Sequence, residues 1–364
     1  MAFPRQAGGP SLVCASSAIG PRLGPQMADY EIFELGDVRL SAGQTLRDAK
    51  LAYKTYGTLN ADKSNAIVYP TWYSGQHYDN EWLIGEGMAL DPSQYFIIVP
   101  NMFGNGLSTS PSNTPPPHDG ARFPNVTFHD NVTQQHRLVT EHFGIESLEL
   151  VTGWSMGAGQ TFQWAVSYPD MVKRILPFCG SSKTAEHNIV FLEGVKFAII
   201  TDAAWQDGMY DKQPVKGLRA VGRVYAGWGL SQAFYWQQLY KKAPFDFATL
   251  EDFLVGFWEG FFLAKDANNL LTMAWTWQNG DIGQTPGFDG NHEAALASIR
   301  AKAIVMPALK DLYFPPEDEE YAVAHMPNAE LRVIPGVWGH FAGGGANPTD
   351  TAFIDEALKE LLAT

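Results

Sequence analysis

The sequence predicts an α/β fold, with a mostly parallel central sheet, helices on its faces and one helical insertion. Three observations predict it. Six short, continuously apolar runs occur along the chain, the pattern of strands buried on both faces. Stretches with apolar residues at helical spacing lie between several of those runs. Residues 186–290 then break the alternation, being helical in pattern, rich in aromatics and without a buried-strand run.

From Tyr30 the pattern is globular. Residues 31–40 and 49–56 alternate apolar and polar side chains and read as antiparallel strands of a leading hairpin. The buried runs follow at 66–69, 95–99, 148–152, 174–178, 303–308 and 331–334. Among the helices, 130–143 ends at Gly144, a residue suited to the left-handed position after a helix. Residues 161–168 continue a helix from the turn at Ser155 and stop before Pro169, because a residue preceding proline is pushed out of helical angles. Residues 351–362 form a terminal helix. In 186–290, Phe234, Tyr235, Trp236, Phe253, Phe257, Trp258, Phe261, Phe262, Trp275 and Trp277 read as a helical lid over the C-terminal edge of the sheet. Residues 108–117, rich in Pro, Ser and Asn, read as an exposed loop. The expected organisation is a core of 27–185 and 291–364, a lid of 186–290 and a disordered tail of 1–26.

Composition excludes several function classes. The 364 residues include 25 basic and 39 acidic side chains, a net charge of −14. Nucleic-acid phosphates and anionic membrane surfaces both require clustered Lys and Arg, so neither is an expected partner. Hydrophobic residues make up 45% and aromatics 13%, which excludes a disordered chain. No run of ~18 apolar residues proposes a membrane-spanning helix. The two cysteines, Cys14 and Cys179, make neither a disulfide scaffold nor a cysteine metal cluster. They fit a reducing, cytoplasmic setting. Residues 1–26 carry only Arg5 and Arg22 as charges and are dense in Ser, Gly and Pro; an organelle-targeting segment and a start at Met27 both stay open. Asp79, Glu81, His129 and Asp130 lack metal-ligand spacing, Gly104-Asn105-Gly106 is too short for a dinucleotide fingerprint, and no phosphate-loop lysine occurs. No metal or cofactor is therefore expected.

The chemistry points to a serine. Gly153-Trp154-Ser155-Met156-Gly157 has the G-x-S-x-G pattern, with a strand running in and a helix leaving. Both glycines are needed, because the serine sits on a sharp strained turn where side chains would collide. Its partners should follow in the order acid, then histidine. His340 lies just past the last strand on the glycine-lined Gly336-Val337-Trp338-Gly339-His340, whereas His325 falls inside a helix pattern and His292 in a polar loop. Asp311 follows the run 303–308 at the same sheet edge; Glu317, Asp318 and Glu319 instead read as first-turn helix residues favoured by the dipole. Two backbone N–H groups should hold an oxyanion. Met156 supplies one by position, and the loop Pro70-Thr71-Trp72-Tyr73-Ser74-Gly75 supplies the other. Tyr73 is the choice there and Trp72 the competitor.

These residues resemble the homoserine O-acetyltransferase group of the α/β-hydrolase superfamily. The likeness runs in order through Ala52-Tyr53-Lys54-Thr55-Tyr56-Gly57, Trp72-Tyr73-Ser74-Gly75, Asn101-Met102-Phe103-Gly104-Asn105-Gly106, Phe123-Pro124-Asn125-Val126-Thr127 and Ser155-Met156-Gly157. It continues through Asp266-Ala267-Asn268-Asn269-Leu270-Leu271, Asp311-Leu312-Tyr313-Phe314-Pro315-Pro316 and Gly339-His340. It implies an α/β-hydrolase fold and the triad Ser155, Asp311 and His340. It also carries the expectation of a homodimer through the lid.

Departures from the group set the expected substrate. An aspartate that binds the homoserine amino group is replaced by Phe341, which cannot pair with an ammonium. Trp154 and Ala158 stand where the group usually has glycine. Arg223 lies near the carboxylate-binding arginine, one residue out of register, and is read either as a ligand residue or as a lid surface residue. The pattern resembles the esterase branch, so the leading expectation is a serine carboxylic-ester hydrolase acting on small neutral esters, with Trp72, Trp154, Arg223 and Phe341 as substrate contacts. The alternative is an acetyl-CoA-dependent O-acyltransferase using the same triad, since water exclusion separates the two fates and sequence does not report it.

Overall fold

The computed structural model describes residues 29–364. The expected tail at 1–26 lies outside the described residues. In chain order the elements are β1 (Glu31–Arg39), β2 (Thr45–Tyr56), β3 (Ala66–Val68), β4 (Phe96–Pro100), α1 (Phe128–Arg137), β5 (Leu150–Trp154), α2 (Met156–Ser167) and β6 (Arg174–Phe178). Helices follow without a strand: α3 (Glu186–Ile200), α4 (Val215–Gly229), α5 (Gln232–Trp236), α6 (Leu250–Phe253), α7 (Gly260–Leu263), α8 (Ala267–Gln278) and α9 (His292–Ala297). The chain then returns to the sheet with β7 (Lys302–Val305), α10 (Pro316–His325), β8 (Ala329–Leu331) and α11 (Pro348–Leu362).

The eight strands form one sheet in the order β1-β2-β4-β3-β5-β6-β7-β8. β1, β2 and β4 pair antiparallel, and every pairing from β4 to β8 is parallel. This explains the continuous apolar runs. Ile67, Ile97 and Leu150 face one core cluster while Ala66, Val68, Ile98 and Val151 face another on the opposite side. With both faces covered, alternate residues have no solvent side to be polar on.

Helix starts follow local capping chemistry. Thr127 Oγ1 accepts from the Asp130 N–H at 3.0 Å, and Asp130 Oδ2 accepts from the Thr127 N–H at 2.9 Å. This reciprocal pair satisfies two amides that the first turn of α1 leaves without helical acceptors. The helix read at 130–143 is α1 extended by a π-turn over Leu138–His142, and Gly144 follows with φ +64°.

The last strand departs from expectation. The run at 331–334 was expected to be doubly buried, but β8 ends at Leu331 and none of its three residues is fully buried. β8 is the sheet's edge, so one side of it lacks a neighbouring strand. Ile334 is buried, but it meets the sheet only as an isolated bridge to Ala308.

Candidate active site

The turn after β5 places Ser155. Its backbone has φ 57° and ψ −123°, a conformation L-residues avoid. The flanking glycines make room for it. A Cβ on Gly153 would lie 2.4 Å from the Gly157 carbonyl, and one on Gly157 would lie 2.8 Å from the Pro70 carbonyl oxygen. The strained turn lifts Ser155 above the sheet edge at the start of α2.

Loops at the same edge bring its neighbours. His340 sits on a short 3-10 turn, Gly339–Gly343, and Asp311 lies beyond β7. Asp311 Oδ2 accepts from His340 Nδ1–H at 2.8 Å. That leaves Nε2 to accept from the Ser155 hydroxyl, 3.0 Å away. The other oxygen of Asp311 accepts from the backbone N–H groups of Tyr313 (2.8 Å) and Phe314 (3.2 Å). Ser155, Asp311 and His340 are each at most 5% exposed. A buried carboxylate with its lone pairs met this way has a fixed orientation, and it fixes the imidazole in turn.

Met156 occupies the first position of α2, where a helix amide has no intrahelical acceptor. Across from it runs the loop after β3, closed by a hydrogen bond from the Gly75 N–H to the Trp72 carbonyl at 3.0 Å. Trp72 and Tyr73 both line the cavity that Ser155 opens into.

That cavity is small, about 40 Å³, and its walls are almost wholly aromatic. Trp72, Trp154 and Phe341 from the core meet Phe257, Trp258 and Phe262 from the helical insertion. The Phe341 ring packs edge-on against Trp154, Trp258 and Phe257, with centroids 5.8, 5.3 and 6.1 Å away. Tyr225 and Tyr313 complete the wall, and burial pushes their phenols, like that of Tyr73, well above the usual tyrosine range. Those phenols therefore stay uncharged at any ordinary pH, and among the described residues no Asp, Glu, Lys or Arg lines the cavity. A larger polar cavity of about 350 Å³ adjoins it, with Ser74 and Phe261 common to both.

One expected contact is absent. Arg223 does not line the cavity. Its guanidinium lies on α4 and bonds outward, Nε to Glu259 at 2.6 Å and Nη2 to Glu251 at 2.6 Å. Two carboxylates at one guanidinium use up the charge that a substrate carboxylate would need, so the lid-surface reading holds. Among the expected lid aromatics, Phe234 and Phe253 are buried in the cluster that joins the insertion to the sheet, Phe234 against Trp338, and Trp236 is 89% exposed. Tyr225 and Tyr313 were not singled out from sequence. Tyr313 lies two residues after Asp311, the one local signal that placed it near the site. Among the described residues, no helix is long and apolar enough to cross a membrane.

Comparison with known proteins agrees with this architecture. Residues 75–343 match the family model described as alpha/beta hydrolase fold. The chain is 42% identical over 338 residues to the ethyl acetate hydrolase of Pseudomonas veronii, covering 92% of this chain and 96% of that protein. An acetylester hydrolase from Corynebacterium glutamicum of known structure is 40% identical and superposes with a TM-score of 0.89, over 92% of this chain and 96% of that one. The homoserine O-acetyltransferase of Methanohalobium evestigatum is 32% identical, over 85% of this chain and 68% of that protein. The chain belongs to the α/β-hydrolase family.

Proposed function

We propose that this protein is a serine carboxylic-ester hydrolase acting on small neutral esters, acetyl esters first among them. The observation that carries the reading is the run of hydrogen bonds Ser155–His340–Asp311 opening into a small uncharged aromatic cavity. The similarity to the ethyl acetate hydrolase and the acetylester hydrolase supports the same substrate class.

In this mechanism the Ser155 hydroxyl attacks the ester carbonyl carbon while His340 Nε2 takes its proton. Asp311 holds the tautomer and stabilises the imidazolium. The Met156 and Tyr73 N–H groups receive the oxyanion. Collapse of the tetrahedral intermediate expels the alcohol with the proton from His340. His340 then takes a proton from water, which attacks the acyl carbonyl carbon; collapse breaks the bond to Ser155 Oγ, which takes the proton back from His340 as the carboxylic acid is released. The insertion helices act as a lid that supplies apolar walls for the short acyl and alkyl groups.

Acyl transfer from acetyl-CoA to homoserine is the second reading, favoured only by the related acetyltransferases. Phe341 and the paired Arg223 count against it, since neither serves a zwitterion. Purified protein is assayed on ethyl acetate and p-nitrophenyl acetate, and in parallel on acetyl-CoA with homoserine. The proposal expects ester turnover that disappears in Ser155→Ala. Homoserine-dependent CoA release faster than ester hydrolysis would replace it with the transferase.

A further inference from the structure

The contacts between the helical insertion and the loop at 70–75 are not only apolar. Lys265, in the turn between α7 and α8, donates from Nζ to the Ser74 carbonyl at 2.8 Å. Its ammonium also lies 4.7 Å from the Phe261 ring centroid. One residue earlier in the loop, the Tyr73 hydroxyl donates to the Leu270 carbonyl of α8 at 3.2 Å. Two successive loop residues are thus tied to the insertion.

The tie matters because of what the Ser74 carbonyl belongs to. The peptide that carries it also carries the Gly75 N–H, and that N–H donates to the Trp72 carbonyl at 3.0 Å. The Trp72 carbonyl in turn shares its peptide plane with the Tyr73 N–H. A cation therefore leads through two peptide groups, each accepting on one side and donating on the other, to the amide assigned to the oxyanion. Hydrogen bonds in such a chain polarise one another in the same direction. Ser74 also has φ +61° and is only 3% exposed. A left-handed non-glycine residue is strained and persists only where its surroundings hold it. Burial draws the Lys265 ammonium below the usual lysine range, partly offset by Asp79.

We propose that Lys265 is a positioning residue, holding and polarising the Tyr73 N–H through the Ser74–Gly75 and Trp72–Tyr73 peptides. This rests on the esterase reading and on Tyr73 as the oxyanion donor. It gives the insertion a second role: the lid carries the charge that orients the oxyanion loop.

The test compares the wild type with Lys265→Met, Lys265→Gln and Lys265→Arg, using p-nitrophenyl acetate and two inhibitors. One is a trifluoromethyl ketone, which forms a tetrahedral oxyanion on the serine. The other is planar N-ethylacetamide, which mimics the ground state. Lys265→Met is expected to lower kcat/KM about ten- to a hundredfold, short of the loss seen when an oxyanion donor is removed outright. Trifluoromethyl ketone affinity should fall by the same factor, N-ethylacetamide affinity should barely change, and Lys265→Arg should retain most activity. If Lys265→Met does not fold, Lys265→Gln is read in its place with a smaller drop. Unchanged kcat/KM, or equal losses for both inhibitors, would overturn the proposal while an inactive Ser155→Ala left the esterase reading intact. An active Ser155→Ala would remove the esterase reading itself.

Discussion

The indole of Trp154 lies nearly parallel to the His340 imidazole, ring centroids 5.0 Å apart at 26°, and its N–H donates to the His340 backbone carbonyl at 3.2 Å. The residue preceding the serine is thus fastened to both the ring and the backbone of the histidine. Tyr313 and Phe314 flank the same imidazole with centroids at 4.5 and 5.5 Å. The imidazolium of the proposed mechanism would form among aromatic faces, which attract cations.

Trp154→Ala should lower kcat/KM by about two- to thirtyfold, the range a cation–π contact and its positioning supply. Trp154→Phe, which keeps a ring there, should lose less. Steady-state kinetics on p-nitrophenyl acetate check this, and equal rates for the wild type and the alanine variant would remove the role.

Phe341→Asp restores the acetyltransferase residue in surroundings that do not accept it. The new carboxylate would sit against Trp154, Phe257 and Trp258, with Arg223 held by Glu259 and Glu251. Residue 341 is only partly buried, so an unpaired carboxylate there is expected to cost about 1–3 kcal/mol in urea unfolding. No homoserine-dependent CoA release should appear. Its appearance would mean that this one residue sets the acceptor.

Arg223→Ala should leave ester turnover unchanged, because the side chain points away from the cavity. Its partner Glu259 behaves differently. Burial raises the Glu259 carboxyl, but hydrogen bonds from Arg219 and Arg223 outweigh it and hold the pKa below the ordinary glutamate range. A depressed folded pKa adds stability above the unfolded pKa and loses it as pH falls through the folded one. Glu259→Gln should therefore cost about 1–3 kcal/mol near pH 7, the range for a lost charged partner, with the gap closing below about pH 4. Urea midpoints measured at both pH values decide it.

Glu319 runs the other way. It is fully buried in α10, neither carboxyl oxygen has a hydrogen-bond partner among the described residues, and burial, then Asp318, pushes its pKa well up. A raised carboxyl pKa makes folding less favourable as pH climbs above the unfolded value. Glu319→Gln should gain melting temperature at pH 8 and little at pH 4. A gain equal at both values would assign the effect to packing alone.

Much of the site was legible before the fold. Ser155, Asp311 and His340 were picked by strand–turn–helix context and by chain order, and they lie within hydrogen-bond distance. Trp72, Trp154 and Phe341 were picked beside them, and they line one cavity. Trp154 ends β5 and Ser155 follows it directly, so the sheet itself places them; Trp72, Asp311, His340 and Phe341 lie on loops four, six, nine and ten residues past the ends of β3, β7, β8 and β8. Arg223 failed because it lies mid-helix in the insertion, where a helical pattern fixes that a helix forms but not which face meets the core. Glu259, 36 residues later, captures it.

By itself the sequence determined the class of sheet, the strained serine turn and the absence of an ammonium partner at residue 341. These depend on local sterics and on residue chemistry, which neighbours in the chain suffice to set. Only the tertiary structure decided which lid aromatics face the serine, that Glu319 is buried with no hydrogen-bond partner among the described residues, and that Lys265 reaches the Ser74 carbonyl. Those are contacts between segments up to 191 residues apart. Helix rotation and crossing geometry choose among many equally apolar surfaces, and nothing local to either segment distinguishes one choice from another.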